Sequence, residues 1–326
     1  MIKPRVHGSL RVGNYVEIRG APEIMATLDS EGCLEGLPFM PEMASYCGKR
    51  FRVFKRVDKV IDVVKGTGLR RMSRTVLLDD LRCDGHAHGG CQAGCQFLWK
   101  EDWLRRVRGA NAGGVDRSVA LESQPRSVAA SEREGAALLR NSRKRNGQTP
   151  DSETYRCQAT ELYIASSYLP RWDLVQYLAP LWYGNINLWQ FLSFASIKFF
   201  NLSQKVVGGA RYPYWPSISL TKTPTVNLDL QPGELVYVKA KEEIHQTLDS
   251  NNRNRGLWFD HEMLRFCGGR YRVLRRVHKL IDEKTGKLRT LKNPCVILDG
   301  VTATGEFHRF YPQNDYPLWR DIWLRR

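Results

Sequence analysis

Residues 13–106 recur at 233–326 with a constant offset of 220 positions, and this restricts the fold more than any other property of the chain. Thr27-Leu28-Asp29-Ser30 returns as Thr247-Leu248-Asp249-Ser250, and Cys47-Gly48 returns as Cys267-Gly268. Trp99 and Trp103-Leu104-Arg105-Arg106 return as Trp319 and Trp323-Leu324-Arg325-Arg326. Of the 94 paired positions 35 are identical, and no insertion or deletion intervenes. A one-residue slip in a strand sends every side chain to the opposite face, so an ungapped repeat implies the same strands in the same register twice.

Each copy carries the same signals. A short alternating strand covers Tyr15 to Ile18 and Leu235 to Val238. An amphipathic helix follows over Pro22 to Leu28 and Glu242 to Leu248. A second helical turn spans Pro41 to Tyr46 and His261 to Phe266, with Gly48 and Gly268 as stops. A long half-exposed strand, Arg50 to Ile61 and Arg270 to Ile281, leads through Gly66 or Gly286 to another, Thr75 to Leu81 or Cys295 to Val301. A last strand holds Trp99 to Val107 and Trp319 to Arg325. Several short strands in under a hundred residues predict a mainly β protein with helical insertions. The expected form is two tandem SH3-like small barrels joined by a helical segment, closure removing the sheet edges.

The expected domains are therefore 1–107, a flexible linker at 108–150, a helical segment with an extended connector at 151–232, and 233–326. The linker is rich in Gly, Ala, Ser, Arg and Asn and has no Phe, Trp, Tyr or Ile, so it buries too little to offset its ordering entropy. A short helix over Glu132 to Arg143 is the one element expected there. Beyond it, Ala159 to Ser166, Trp172 to Leu181 and Leu188 to Leu202 read as helices. The last is unusually apolar. It is too short to span a bilayer, so the expectation is a core helix packing the two barrels together rather than a membrane-surface helix.

The net charge of +16 admits nucleic acid, an anionic surface or acidic partners. It is spread along the chain. Residues 13–107 hold 15 basic and 13 acidic residues, and residues 233–326 hold 18 and 12. A binding module for nucleic acid or an acidic protein partner, acting through the basic second copy, is thus the alternative to a metal-centred function. The first eight residues lack a signal peptide's apolar core, and no apolar run is long enough for a transmembrane segment. A cytoplasmic location follows as the expectation. In that reducing setting a local cluster of cysteines favours a metal or catalysis over disulfides.

Such a cluster lies between Arg82 and Cys95. Cys83, Cys91 and Cys95 share thirteen residues with His86, His88 and four glycines. Thiolates crowded together repel, and a cation removes that penalty. The second copy has Ala303, Tyr311 and Asp315 in place of the three cysteines and Glu306 in place of His86, while His308 matches His88. The barrel can therefore form without these thiols, which argues against core filler. Free or disulfide-forming thiols are the competing reading. The fourth ligand stays open between Cys47, His86 and His88. Cys47 and His88 have twins in the copy without a cluster, which suits structural roles, so His86 is the favoured histidine. Four cysteines would suit zinc or an iron–sulfur cluster, and three with a histidine would suit zinc. Glu42 and Glu262 also match across the copies and read as surface helix carboxylates. No glycine-rich phosphate loop, GxSxG elbow or HExxH motif occurs.

The stretches Gly36 to Met43, Tyr46 to Val53, Arg82 to Gly85, Ala87 to Cys95, Trp99 to Glu101 and Tyr155 to Leu162 resemble a family of uncharacterised bacterial proteins. Its members accompany natural-product gene clusters, including that for oviedomycin. The resemblance covers most of the chain outside the linker and implies an accessory or tailoring role in secondary metabolism. It supplies no catalytic residues. Cys157 falls in the shared pattern, which implies a further ligand, although a buried helix cysteine is the simpler reading.

Overall fold

The computed structural model describes residues 9–107, 128–145, 153–210, 212, 220–312 and 314–326. The protein is mainly β with helices. It divides into two compact units. One comprises residues 1–185 with 281–289 and 311–313, and the other 186–280, 290–310 and 314–326.

In the first unit, Gly68–Arg82 and Arg50–Asp62 form a long antiparallel hairpin, from Val53 opposite Leu78 to Asp62 opposite Gly68. Tyr15–Ile18 extends the sheet beside Arg50–Asp62, and Leu104–Arg106 lies beyond it. Gln96–Lys100 and Ser167–Tyr168 pair with Gly68–Arg82, which completes a six-stranded half-barrel. Two bulges bend the long strand, one between Val53 and Lys55 and one between Val57 and Lys59. Between Val57 and Lys59 the extra residues lie on the partner strand, between Thr75 and Arg71. Val53, Val57, Val60 and Asp62 are buried along Arg50–Asp62. Asp62 closes the hairpin by accepting from the Lys65 and Thr67 amides.

The second copy's sheet runs Leu288–Leu298, Arg270–Ile281, Leu235–Val238, Leu324–Arg325. Local bonds recur at the repeat offset. The Trp103 indole donates to Thr27 Oγ1 at 3.1 Å, and the Trp323 indole donates to Thr247 Oγ1 at 3.0 Å. Phe39 meets Trp103 edge-on at 5.3 Å, and Phe259 meets Trp323 at 5.0 Å. Each tryptophan is fully buried. A large apolar ring is placed by a single hydroxyl acceptor, which combines area burial with orientation.

Several expected elements differ. Pro22 to Leu28 is helical only over Ala21–Met25, and Ala159 to Ser166 only over Gln158–Glu161. The strand expected over Trp99 to Val107 is interrupted by a 3-10 turn at Glu101–Trp103, which points Trp103 into the core. Within the expected linker, 108–127 and 146–150 lie outside the described residues. The expected short helix is present over Val128–Asn141, and Arg143–Arg145 pairs with Glu153–Tyr155. Leu138, 3% exposed, joins the first unit's core and gives that helix its anchor.

The apolar helix extends over Leu188–Val207 between an Asn187 cap and Gly208. It is not a core helix. Phe194 is buried, its ring tilted against that of Phe310 with centroids 4.4 Å apart, whereas Trp189, Phe199, Leu202 and Val206 are exposed. Its apolar residues fall on all sides of the helix, so one packed face cannot hide them. Among the described residues no helix is long and apolar enough to cross a membrane.

Candidate metal centre

Two elements of the first unit bring the site together. The 3-10 turn Pro41–Tyr46 presents Glu42. The loop from Cys83 to Cys95 folds over it, closed by the Cys83 amide donating to the Cys95 carbonyl at 2.8 Å. A turn at His86–His88, flanked by Gly85 and Gly89 with positive φ, aims His88 inward. Gly85 is obligatory, because a Cβ there would sit 1.9 Å from the Cys91 carbonyl oxygen.

Glu42, Cys83 and His88 each offer one ligand atom, and the three atoms lie within 4.8 Å of one another. Glu42 Oε1 is 2.8 Å from His88 Nδ1 and 3.7 Å from Cys83 Sγ, and it accepts from the Ala87 amide at 3.1 Å. The His88 side chain is 1% exposed and that of Glu42 8%. Glu42 is therefore not the surface carboxylate expected of it. Burial raises its pKa, but the hydrogen bond and charge of His88 outweigh this and hold the carboxyl below its ordinary range.

The other ring nitrogen of His88 lies 3.2 Å from the Arg156 carbonyl oxygen. A carbonyl only accepts, so Nε2 carries the proton. Nδ1 then either holds a second proton for Glu42 or turns a lone pair toward Cys83 and Glu42. The second arrangement is that of a metal-ligating histidine oriented by a backbone carbonyl.

Glu42 Oε2 is buried and has no hydrogen-bond partner among the described residues. Its counterpart differs. Glu262 Oε2 accepts from the Thr304 amide at 2.6 Å, the Thr304 hydroxyl at 2.9 Å and the Gly305 amide at 3.0 Å, and Oε1 accepts from the Phe307 amide at 3.0 Å. Leaving a buried carboxylate oxygen unmatched costs a few kcal/mol, of order 1–3 or more. A bound cation removes that cost.

Cys157 starts the short helix Gln158–Glu161, where Thr160 Oγ1 accepts from its amide. Its pKa is pushed up to about 12, chiefly by burial and in part by the charge of Cys91. Burial also raises Cys83 far above its ordinary value, aided by Glu42, Cys157 and Cys91. Cys83, Cys91 and Cys157 are thus electrostatic neighbours, and without a cation beside them Cys83 and Cys157 remain protonated thiols.

The remaining predicted residues stand apart from the Glu42–Cys83–His88 group. His86 is exposed and is held only through its amide, which donates to Asp84. Cys95 contributes its carbonyl to closing the loop. Cys47 packs on the apolar core, as Cys267 does in the second copy. The participants missed from sequence were Glu42 and Arg156. A shared position and a backbone carbonyl leave no signal in spacing. Comparison of the chain with known protein families, curated proteins and solved structures gives no match.

Proposed function

We propose that the first unit binds one divalent transition metal through Cys83, His88 and Glu42, and that this metal is zinc. The observation that carries the reading is the buried, unpartnered Oε2 of Glu42, whose carboxylate lies beside a half-buried thiol and a histidine whose other nitrogen is already held. Thiolate, imidazole and carboxylate together suit zinc, whereas an iron–sulfur cluster needs a set dominated by cysteines. Three protein ligands leave a fourth position. Either Cys91 completes a closed structural site, or water occupies the position and the metal acts as a Lewis acid. In this reading the two copies are SH3-like barrels, the second a frame without the metal. An accessory role in secondary metabolism follows from the family resemblance alone.

The test is metal analysis with a visible spectrum on protein purified without oxygen. About one zinc per chain and no colour is expected. Cys83→Ser and His88→Gln should lose it, while Cys47→Ser and His86→Ala should keep it. Iron with sulfide in the parent, or metal loss only in Cys47→Ser, would overturn the assignment.

A further inference from the structure

The second unit contains a cavity of about 180 Å³ whose wall includes Arg255, Arg276, Lys292, Arg320 and Asp321. Four of these are cations and one is a carboxylate. The repeat shows how unusual that balance is. At the offset of 220, Arg255 stands for Glu35, Lys292 for Met72 and Arg320 for Lys100. Pro294 and Ile322 stand for Arg74 and Asp102, while Arg276 and Asp321 keep the signs of Arg56 and Glu101. The seven positions thus carry three cations and three carboxylates in the first copy, a net of zero. In the second they carry four cations and one carboxylate, a net of +3.

The first copy neutralises this corner internally. Lys100 Nζ donates to Glu35 at 2.7 Å, Arg56 pairs with Glu101, and Arg74 pairs with Asp102 at 2.9 Å. Of the four cations lining the second copy's cavity, only Arg276 pairs with a carboxylate among the described residues, Asp321 at 3.2 Å. Arg320, 9% exposed, reaches the carbonyls of Asn254, Asn293 and Arg255 and no carboxylate among the described residues. A buried cation held only by neutral acceptors is poorly compensated. Arg255 and Lys292 are exposed beside it.

We propose that this cavity binds a phosphate group. Planar guanidinium groups suit phosphate oxygens, and one multivalent anion supplies the charge that Glu35, Glu101 and Asp102 provide in the first copy. The volume equals roughly six waters, which admits a phosphate and a small part of its bearer but not a nucleic-acid strand. Arg255 and Lys292 close on the anion from the rim, while Arg276 and Arg320 set the potential beneath it. Free phosphate and a phosphate ester share this chemistry. The site is independent of the metal centre.

The test uses the full chain and the double variant Arg255→Glu with Lys292→Met, which restores the first copy's residues at two exposed positions. Inorganic phosphate is titrated at constant ionic strength, with binding read by thermal shift and by calorimetry. The parent should be stabilised saturably, and the variant should bind at least tenfold more weakly while unfolding no lower than the parent in the absence of phosphate. An adenosine monophosphate arm separates the sources: tighter binding than inorganic phosphate assigns an ester, and weaker binding assigns the free ion. An equal response of parent and variant, or no response of the parent to either ligand, overturns the proposal. So does binding only to a single-stranded oligonucleotide with an affinity the variant retains, which would assign the charge to an extended surface.

Discussion

Glu42 and Glu262 occupy the same place in the two copies, each followed by a buried methionine on the same 3-10 turn. Glu262 spends both oxygens on the loop above it, gripping the amides of Thr304, Gly305 and Phe307. Glu42 uses one oxygen, Oε1, for a single amide of the corresponding loop and for its contacts with Cys83 and His88, and Oε2 has no partner among the described residues. A carboxylate that buries itself under a loop must be satisfied by that loop or by something else. The second copy takes the first solution. In the first copy the glycine-rich loop of cysteines offers one backbone amide, and the proposed cation would supply the rest.

The largest effects should fall on what the copies share. Trp103→Ala and Trp323→Ala each remove a fully buried indole and its bond to a threonine hydroxyl. Each should cost about 3–5 kcal/mol in denaturant unfolding. Unequal losses, with one variant near zero, would show that the two cores are not equivalent.

Glu42→Gln against Glu262→Gln tests the divergence directly. In the second copy an amide nitrogen would face backbone donors, so Glu262→Gln should lose about 1–3 kcal/mol and leave metal content unchanged. In the first copy Glu42→Gln should weaken zinc binding by at least about tenfold, measured by competition with a chelator, since loss of a ligand costs no less than loss of a ligand's hydrogen-bond partner. Its metal-free stability should change less than that of Glu262→Gln. The reverse pattern would make Glu42 a loop anchor like its twin.

Comparing the copies in sequence pointed to Cys83 and favoured His86 over His88, which is the histidine that lies beside it, and one cause explains both. Cys83 stands out because Ala303 shows that the frame does without it. The same logic kept His88 as a candidate but gave it a structural alternative because His308 survives, and favoured the unshared His86, which is exposed. A shared residue can be reused. His308 turns Nε2 to Asp260 at 2.9 Å, a position that is Met40 in the first copy, whereas His88 turns Nδ1 to Glu42. Arg156 and Cys157 lie some seventy residues beyond His88 and meet the site only through the fold. The strands were legible because alternation reports directly on two faces, although two register shifts break the regular pairing of Arg50–Asp62 with Gly68–Arg82. The helix Leu188–Val207 was misjudged because an all-apolar composition reports hydrophobicity and not burial.

The divided use of the two histidines gives the smallest and most specific effect. Asp260 accepts from the Glu262 amide at 2.9 Å and pairs with His308. The bond to Asp260 raises the pKa of His308 despite burial. Burial would raise Asp260, but His308 outweighs this and lowers it. The raised histidine contributes stability that is complete below its unfolded value, about 6.5, and is lost as pH rises through the folded value. The lowered aspartate contributes above its unfolded value, about 3.9, and loses this as pH falls through the folded value. The pair therefore acts most strongly between about pH 4 and 6.5. Asp260→Asn keeps an acceptor for the Glu262 amide and removes the charge. It should cost up to about 1 kcal/mol at pH 5, as befits a partly exposed pair, and less at pH 8. Denaturant unfolding at both values checks this. An equal loss at pH 5 and pH 8 would mean that Asp260 serves the turn alone and that His308 is a spectator. The copies would then differ at the Glu42–Cys83–His88 group without this compensating ion pair in the second.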